Sequence, residues 1–323
     1  MNNYSDIQEL LKVDLQKTDK ALISSLSSNV ALINTMSNYI ISAGGKRIRP
    51  LLLLLSARAT KYNGEQHHIM AVVIELIHTA TLLHDDIVDE SRTRRGRNTA
   101  NEVWGNAASV LVGDFLYSRA FELMVEIDSM SIMKIMSKVT NNIAEGEVMQ
   151  LLNCHNPKLS ESEYFQVIEN KTACLFKAST QIGAILSGAD KAFESALKDY
   201  GLHLGNAFQI VDDILDFESD VETMGKEIGD DLSEGKTTLP MIYALKHTSG
   251  KEHEILVGAI ENRDNVGVDK VINILKNTGA FEYARGKAKE SADLARTAIK
   301  DLPESSYKKA LILLCDLSLK RDS

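Results

Sequence analysis

The sequence predicts an all-α protein: an antiparallel helical bundle in a single domain covering residues 1–323. Three observations lead there. Apolar residues recur at helical spacing along most of the chain, and neither strand-like alternation nor a G-x-G-x-x-G stretch stands out. Only 4 prolines and 19 glycines are present, which argues against a disordered Pro/Gly-rich chain. The hydrophobic share of 44% is ample for a sizeable core at this length.

Taken in order, residues 6–40 read as amphipathic helix, with Ile7, Leu10, Leu11 and Leu15, then Leu26, Val30, Ile33 and Ile40 at helical spacing. Gly44-Gly45-Lys46-Arg47-Ile48-Arg49-Pro50 breaks that pattern. Its glycines permit a tight turn, and Pro50 suits the first turn of a following helix. Three cations beside flexible backbone can cradle a diphosphate, although a basic loop can equally be plain solvated surface. Met70 to Leu83 is an apolar helical run that ends in His84-Asp85-Asp86-Ile87-Val88-Asp89. Helices are expected over 113–127 and 132–152, with a turn at Asn153 to Pro157. Ser160 with Glu163 forms a capping-box pattern opening the helix that carries Lys171 and Thr172. Gly201 and Gly205, four apart, suggest close helix approach ahead of Gln209. Met224 to Pro240 reads as a mobile, charged loop, and helices resume from there to Leu319 with a break at Leu302-Pro303.

The chemistry sits in two near-copies of one pattern, Asp85-Asp86-x-x-Asp89 and Asp212-Asp213-x-x-Asp216. Carboxylates at i and i+4 share one helix face, and like charges so placed destabilise a helix by roughly 0.2–0.5 kcal/mol per pair. Hard oxygen ligands in this arrangement suit Mg²⁺, which is commonly held by one or two carboxylates plus substrate phosphates. Arg94 and Arg95 follow the first copy, and arginine grips phosphate oxygens bidentately. His78 lies seven residues before Asp85, nearly on the same face. Two such clusters can face each other across a bundle around one polyanion. A net charge of −9 disfavours a general nucleic-acid binder. Cys154, Cys174 and Cys315 show no zinc spacing and read as incidental thiols in a reducing compartment. The N-terminus lacks signal-peptide features, and Leu51 to Leu55 is far short of the about 20 residues a membrane span needs. A soluble, cytoplasmic protein is expected.

The two acidic motifs, with His78 to Asp86 and Gly105 to Phe115, resemble the trans-type isoprenyl diphosphate synthases, above all their long-chain, octaprenyl-forming branch. The similarity runs from about Ile40 to the C-terminus. It implies the isoprenoid synthase fold, a helical bundle around a central active-site cavity. It also implies Mg²⁺, three ions per site, held by Asp85, Asp86, Asp89, Asp212, Asp213 and Asp216. The residues matching Lys46, Arg49, His78 and Arg95 bind the diphosphate of isopentenyl diphosphate. Those matching Arg94, Lys171 and Thr172 bind the allylic diphosphate, farnesyl diphosphate being the expected primer. Gln209 is a fitting polar contact beside the second motif, and Lys226 and Lys236 are further phosphate contacts. Asp230 and Asp231 would assist water-mediated metal binding. Asp85, Asp86, Asp89, Arg94, Lys171, Asp212 and Asp213 would carry catalysis, and no nucleophilic side chain is required.

Product length would be set below the first motif. Ala80 and Thr81 are small where short-chain relatives place an aromatic, so the chain can pass deeper, with Met124 and Met136 proposed as the floor. The expected product is octaprenyl diphosphate for a quinone side chain, with heptaprenyl to decaprenyl as alternatives. A class I terpene cyclase usually carries an Asn/Ser/Glu second motif, and a silent synthase subunit tends to lose site charges; this chain has neither feature, which leaves both as less favoured alternatives. The resemblance further suggests a homodimer and transient membrane contact on product release.

Overall fold

The computed structural model describes residues 1–218, 228–261 and 267–320, and helices make up nearly all of its regular structure, as the sequence predicts. The N-terminal stretch differs from expectation in one respect. Residues 6–40 do not form one helix but lie in α1 (Tyr4–Leu10), α2 (Lys12–Ser25) and α3 (Ala31–Ser42). The break before α3 is local: Asn34 accepts from the Ser28 amide at 3.0 Å and donates to the Ser28 carbonyl at 2.8 Å, while Val30 is extended. Side-chain bonds of this kind offer the backbone an alternative to the helix. Then come α4 (Ile48–Ala59), α5 (Gln66–Val88), a two-stranded ribbon of β1 (Thr93–Arg94) and β2 (Arg97–Asn98), α6 (Ala100–Trp104), α7 (Asn106–Glu126) and α8 (Met130–Asn153).

Contacts divide the chain into two compact units, with boundaries that fall along continuous helices. The first holds Met1–Thr140, Leu175–Gly201 and Ala298–Leu314. Its centre is α5, apolar on most of its surface and therefore buried on most of its surface, with α2, α4 and α7 packed on it. Leu51 to Leu55 of α4 are all buried, and since five consecutive residues turn through every face of a helix, α4 is enclosed on all sides here. α7 runs antiparallel to α5. Gln66 at the start of α5 donates to the Ile127 carbonyl at 3.2 Å, and His84 near its end lies 3.3 Å from the Val110 carbonyl. Also in this unit, α10 (Cys174–Leu186) meets the first part of α11 (Lys191–Glu218) at Gly201. A Cβ there would lie 2.3 Å from the Thr180 hydroxyl, so the close approach expected at Gly201 is real.

The second unit holds the described residues of Asn141–Cys174, Leu202–Thr297 and Cys315–Ser323. Ser160 caps α9 (Glu161–Ile168) through the capping box with Glu163. A π turn, Glu169–Ala173, joins α9 to α10 without a break. α12 (Asp230–Ser233), α13 (Leu239–His247), α14 (Gly250–Ile260), α15 (Val268–Asn277) and α16 (Ala280–Ala298) follow, and α17 (Ser306–Leu319) closes the chain beyond the break at Leu302-Pro303. Ile210, Ile214 and Phe217 of α11 pack with Met241, Leu256 and Phe281 in this unit's core. No helix among the described residues is long and apolar enough to cross a membrane.

One polar cluster in the first unit ties α2 to α4 and α5. Asp14 accepts from Arg58 Nε at 2.9 Å and lies 3.2 and 3.0 Å from the Nε2 atoms of His67 and His68. Burial alone would raise the Asp14 carboxyl, but these bonds outweigh it and hold it well below the usual carboxylate range. Burial lowers His67, which is held neutral. Asp14→Asn leaves Arg58 without its counter-charge and should cost about 2–4 kcal/mol, read as a lower denaturation midpoint. The pH dependence has one sign. The Asp14 contribution is present above its unfolded pKa of about 3.9, and that of neutral His67 above about 6.5; both are lost as pH falls. Thermal melts from pH 8 to pH 5 should therefore fall steadily in wild type and more shallowly in His67→Gln.

Candidate active site

The last turn of α5 carries Asp85 and Asp86, and the Asp89 amide caps it by donating to the Asp85 carbonyl at 2.8 Å. The first and third aspartates are thus one turn apart, as their spacing requires. Asp86 is buried, while Asp85 and Asp89 are half-buried. The chain then reverses through the ribbon, whose Arg95-Gly96 turn has φ of 53° and 71°. Positive φ at both central residues is the turn that suits a two-residue hairpin, and Gly96 accepts it without strain. Arg94 turns back onto the motif, with Nε 2.7 Å and Nη2 2.6 Å from Asp86 Oδ1. Desolvation works against the Arg94 charge, but Asp86, Asp85 and Asp89 outweigh it and raise its pKa.

Arg95 instead reaches the glycine loop, where it donates to the Gly44 carbonyl. Gly45, at φ 136°, lies so close that a Cβ would sit 2.5 Å from the Arg95 guanidinium. Lys46 is exposed on the same loop. At the start of α4, Arg49 donates to His78 Nε2 at 2.9 Å and lies 4.8 Å from the centre of the Phe176 ring. Burial, then Arg49, Arg94 and Arg95, hold His78 well below its ordinary pKa. The imidazole is therefore neutral, with Nε2 as acceptor. Four residues expected around one diphosphate, Lys46, Arg49, His78 and Arg95, thus lie on or against the 44–49 loop and α5. Ala80 is fully buried, and Thr81 bonds the His78 carbonyl of its own helix at 2.8 Å. Met124 and Met136 are buried in α7 and α8.

The second motif lies near the end of α11, in the other unit. Asp213 and Asp216 are buried and Asp212 is half-buried. Thr172 of the π turn donates to Gln209 Oε1 at 2.8 Å, and Gln209 Nε2 donates to Asp213 Oδ1 at 2.8 Å. The Tyr164 hydroxyl of α9 donates to Asp213 Oδ2 at 2.6 Å. Burial pushes the Asp213 carboxyl well up, and Asp231 and Asp212 push it further, against those two donors. A carboxyl so placed among other carboxylates fits a site completed by a cation. Asp212 and Asp216, with hard oxygen donors a turn apart, match a divalent metal. The Asp231 amide donates to Asp216 Oδ1 at 3.4 Å. Lys236 pairs with Glu234 and stands 3.8 Å from Asp231. Lys171 pairs with Glu147 at 2.7 Å. Asp230 begins the short helix α12, and Lys226 lies outside the described residues.

Asp14, His67 and His68 form the close set of metal-ligand types found among the described residues. Arg58 occupies both oxygens of Asp14, so a dication there would face a guanidinium, and the set is a structural lock. Sequence reasoning missed Tyr164. Tyr164 meets its partner 49 positions away, a distance that no local pattern reports.

A family model described as polyprenyl synthetase matches residues 30–277. Octaprenyl diphosphate synthase of Haemophilus influenzae is 48% identical over 321 residues, covering 99% of this chain and 98% of that protein. Octaprenyl diphosphate synthase of Escherichia coli K12 is 46% identical, covering 99% of each. A polyprenyl synthase from Caulobacter crescentus CB15, crystallised with calcium and isoprenyl diphosphate, superposes with a TM-score of 0.96 at 40% identity, covering 100% of this chain and 99% of that one.

Gly45→Ala should drive Arg95 off the glycine loop. Calorimetric titration with inorganic diphosphate is expected to show about tenfold weaker binding, equivalent to roughly 1.4 kcal/mol, with the fold retained by circular dichroism.

Proposed function

The chain belongs to the polyprenyl synthetase family, and on that premise we propose that it is a prenyltransferase, a long-chain all-trans polyprenyl diphosphate synthase acting as one domain over residues 1–323. The observation that carries this reading is the near full-length identity to octaprenyl diphosphate synthases. The proposed substrates are isopentenyl diphosphate and an allylic primer, farnesyl diphosphate. The proposed product is octaprenyl diphosphate for a quinone side chain. The proposed setting is a cytoplasmic homodimer that touches a membrane only to release product.

In the proposed reaction the allylic C–O bond breaks and its electron pair leaves with the diphosphate. The double bond of isopentenyl diphosphate supplies the pair for the new C–C bond. A proton is then lost to the released diphosphate. Asp85, Asp86 and Asp89, and Asp212, Asp213 and Asp216, would hold divalent ions, proposed as three Mg²⁺. When bound, Mg²⁺ supplies the positive charge that makes diphosphate a competent leaving group. Arg94, Lys171 and Thr172 would hold that departing group, with Lys226 and Lys236 as added cations. Lys46, Arg49 and Arg95 would bind the diphosphate of the incoming unit, and neutral His78 keeps Arg49 aimed there. Gln209 orients Asp213 within the second motif. Such electrostatic preorganisation needs no covalent intermediate on the protein.

For chain length, α5 and α7 supply a ruler. Ala80 and Thr81 lie one turn below Asp85, while Met124 lies near the end of α7 that meets Gln66. From Gln66 to Asp85 is roughly 28 Å at about 1.5 Å per residue. A tunnel ending at Met124 and Met136 would therefore be long.

Purified protein with Mg²⁺, farnesyl diphosphate and labelled isopentenyl diphosphate should yield a single long-chain product on sizing; no incorporation would refute the reading. Asp85→Ala and Asp212→Ala should each lower kcat at least about a hundredfold, the scale of losing one electrostatic stabiliser. Thr81→Phe should shorten the product with incorporation retained, and an unchanged length would exclude this tunnel direction.

A further inference from the structure

Glu75 is a carboxylate that the reaction above does not use. It lies on α5 one turn before His78, and its side chain is only 16% exposed. Oε1 is 3.9 Å from Arg47 Nε, too far for a hydrogen bond. Oε2 is buried with no hydrogen-bond partner among the described residues. An unsatisfied buried carboxylate oxygen is costly, and a residue serving only to pin Arg47 would be expected to close on it.

The surroundings of Glu75 are unusual in charge. Burial dominates and raises its pKa above the usual carboxylate value, with Arg47, Arg49 and Arg95 pulling against that rise. Two of those guanidinium groups, Arg49 and Arg95, belong to the proposed diphosphate cradle. Asp19 of α2 also pairs with Arg47, and the Tyr4 hydroxyl of α1 is buried nearby, kept protonated by burial and by Glu75. Arg49 is steered by His78, and Arg95 by the Gly44 carbonyl. Both of those partners are neutral, so neither offsets the repulsion among three cations gathered around one loop. Glu75 lies 3.9 Å from Arg47 and is the acidic residue on α5 whose charge also acts on Arg49 and Arg95.

We propose that Glu75 is a positioning residue for isopentenyl diphosphate: from α5 it holds Arg47, Arg49 and Arg95 together as a preformed diphosphate cradle. This rests on the functional reading above. Loss of the Glu75 charge lets the guanidinium groups spread, so the incoming diphosphate must gather them again. The effect falls on binding of that one substrate, because Glu75 touches neither reacting carbon.

The test is steady-state kinetics on Glu75→Gln, which keeps shape and loses charge. KM for isopentenyl diphosphate should rise about tenfold, with kcat within about threefold and KM for farnesyl diphosphate unchanged. Glu75→Asp, which keeps the charge, should recover part of the shift. A Glu75→Gln enzyme with reduced melting temperature and unchanged KM for isopentenyl diphosphate would overturn the proposal and leave a purely structural role. If Glu75→Gln does not fold, Glu75→Asp decides: an unchanged KM overturns, and a selective rise of a few-fold supports. Wild-type protein that fails to incorporate isopentenyl diphosphate at all would sink the functional reading itself, and that outcome is told apart by the wild-type control.

Discussion

A carboxylate placed among packed helices must meet a positive charge, accept hydrogen bonds, or give up its own charge. The two acidic motifs answer this demand differently. In both, the middle aspartate is buried, at 4% exposure for Asp86 and 3% for Asp213. Asp86 is answered by a cation, Arg94, folded back from the ribbon. Asp213 is answered by two neutral donors, Tyr164 and Gln209, and its pKa is pushed well up. The same Asp-Asp-x-x-Asp pattern thus has its middle carboxylate ion-paired in one unit and hydrogen-bonded to neutral donors in the other. In the first motif the outer pair, Asp85 and Asp89, is left nearer the surface; in the second this holds for Asp212 alone.

Much of this was legible in the sequence because it is local. The i, i+4 spacing of Asp85 and Asp89, the capping box at Ser160 and Glu163, and the helix approach at Gly201 all depend on neighbours within a few residues. The N-terminal division into three helices was not legible, because the apolar spacing carries across both breaks, and the one before α3 is marked by side-chain bonds among Ser28, Val30 and Asn34. The ribbon escaped notice for a different reason. Two residues per strand are too few for alternation to register, and only Gly96 hints at the turn. Tyr164, Phe176 and Glu75 were silent because each earns its role from a partner in a distant stretch or from an arginine cluster that folding assembles.

The basic residues divide by how they are held. Arg94 and Lys171 are gripped by carboxylates, Asp86 and Glu147. Arg49 and Arg95 are held by neutral acceptors, an imidazole and a carbonyl. A neutral acceptor aims a guanidinium without itself cancelling the field, and the opposing charge for both arginines comes from Glu75 on α5. His78 is suited to this task because its burial and its cationic neighbours keep it from protonating.

The ribbon has one mechanical consequence. Arg94 and Arg95 are consecutive, and the hairpin that carries them closes in two residues with both central φ angles positive. Such a turn has almost no slack. Arg94 grips the aspartate cluster and Arg95 the glycine loop, so one short turn carries the contacts to both.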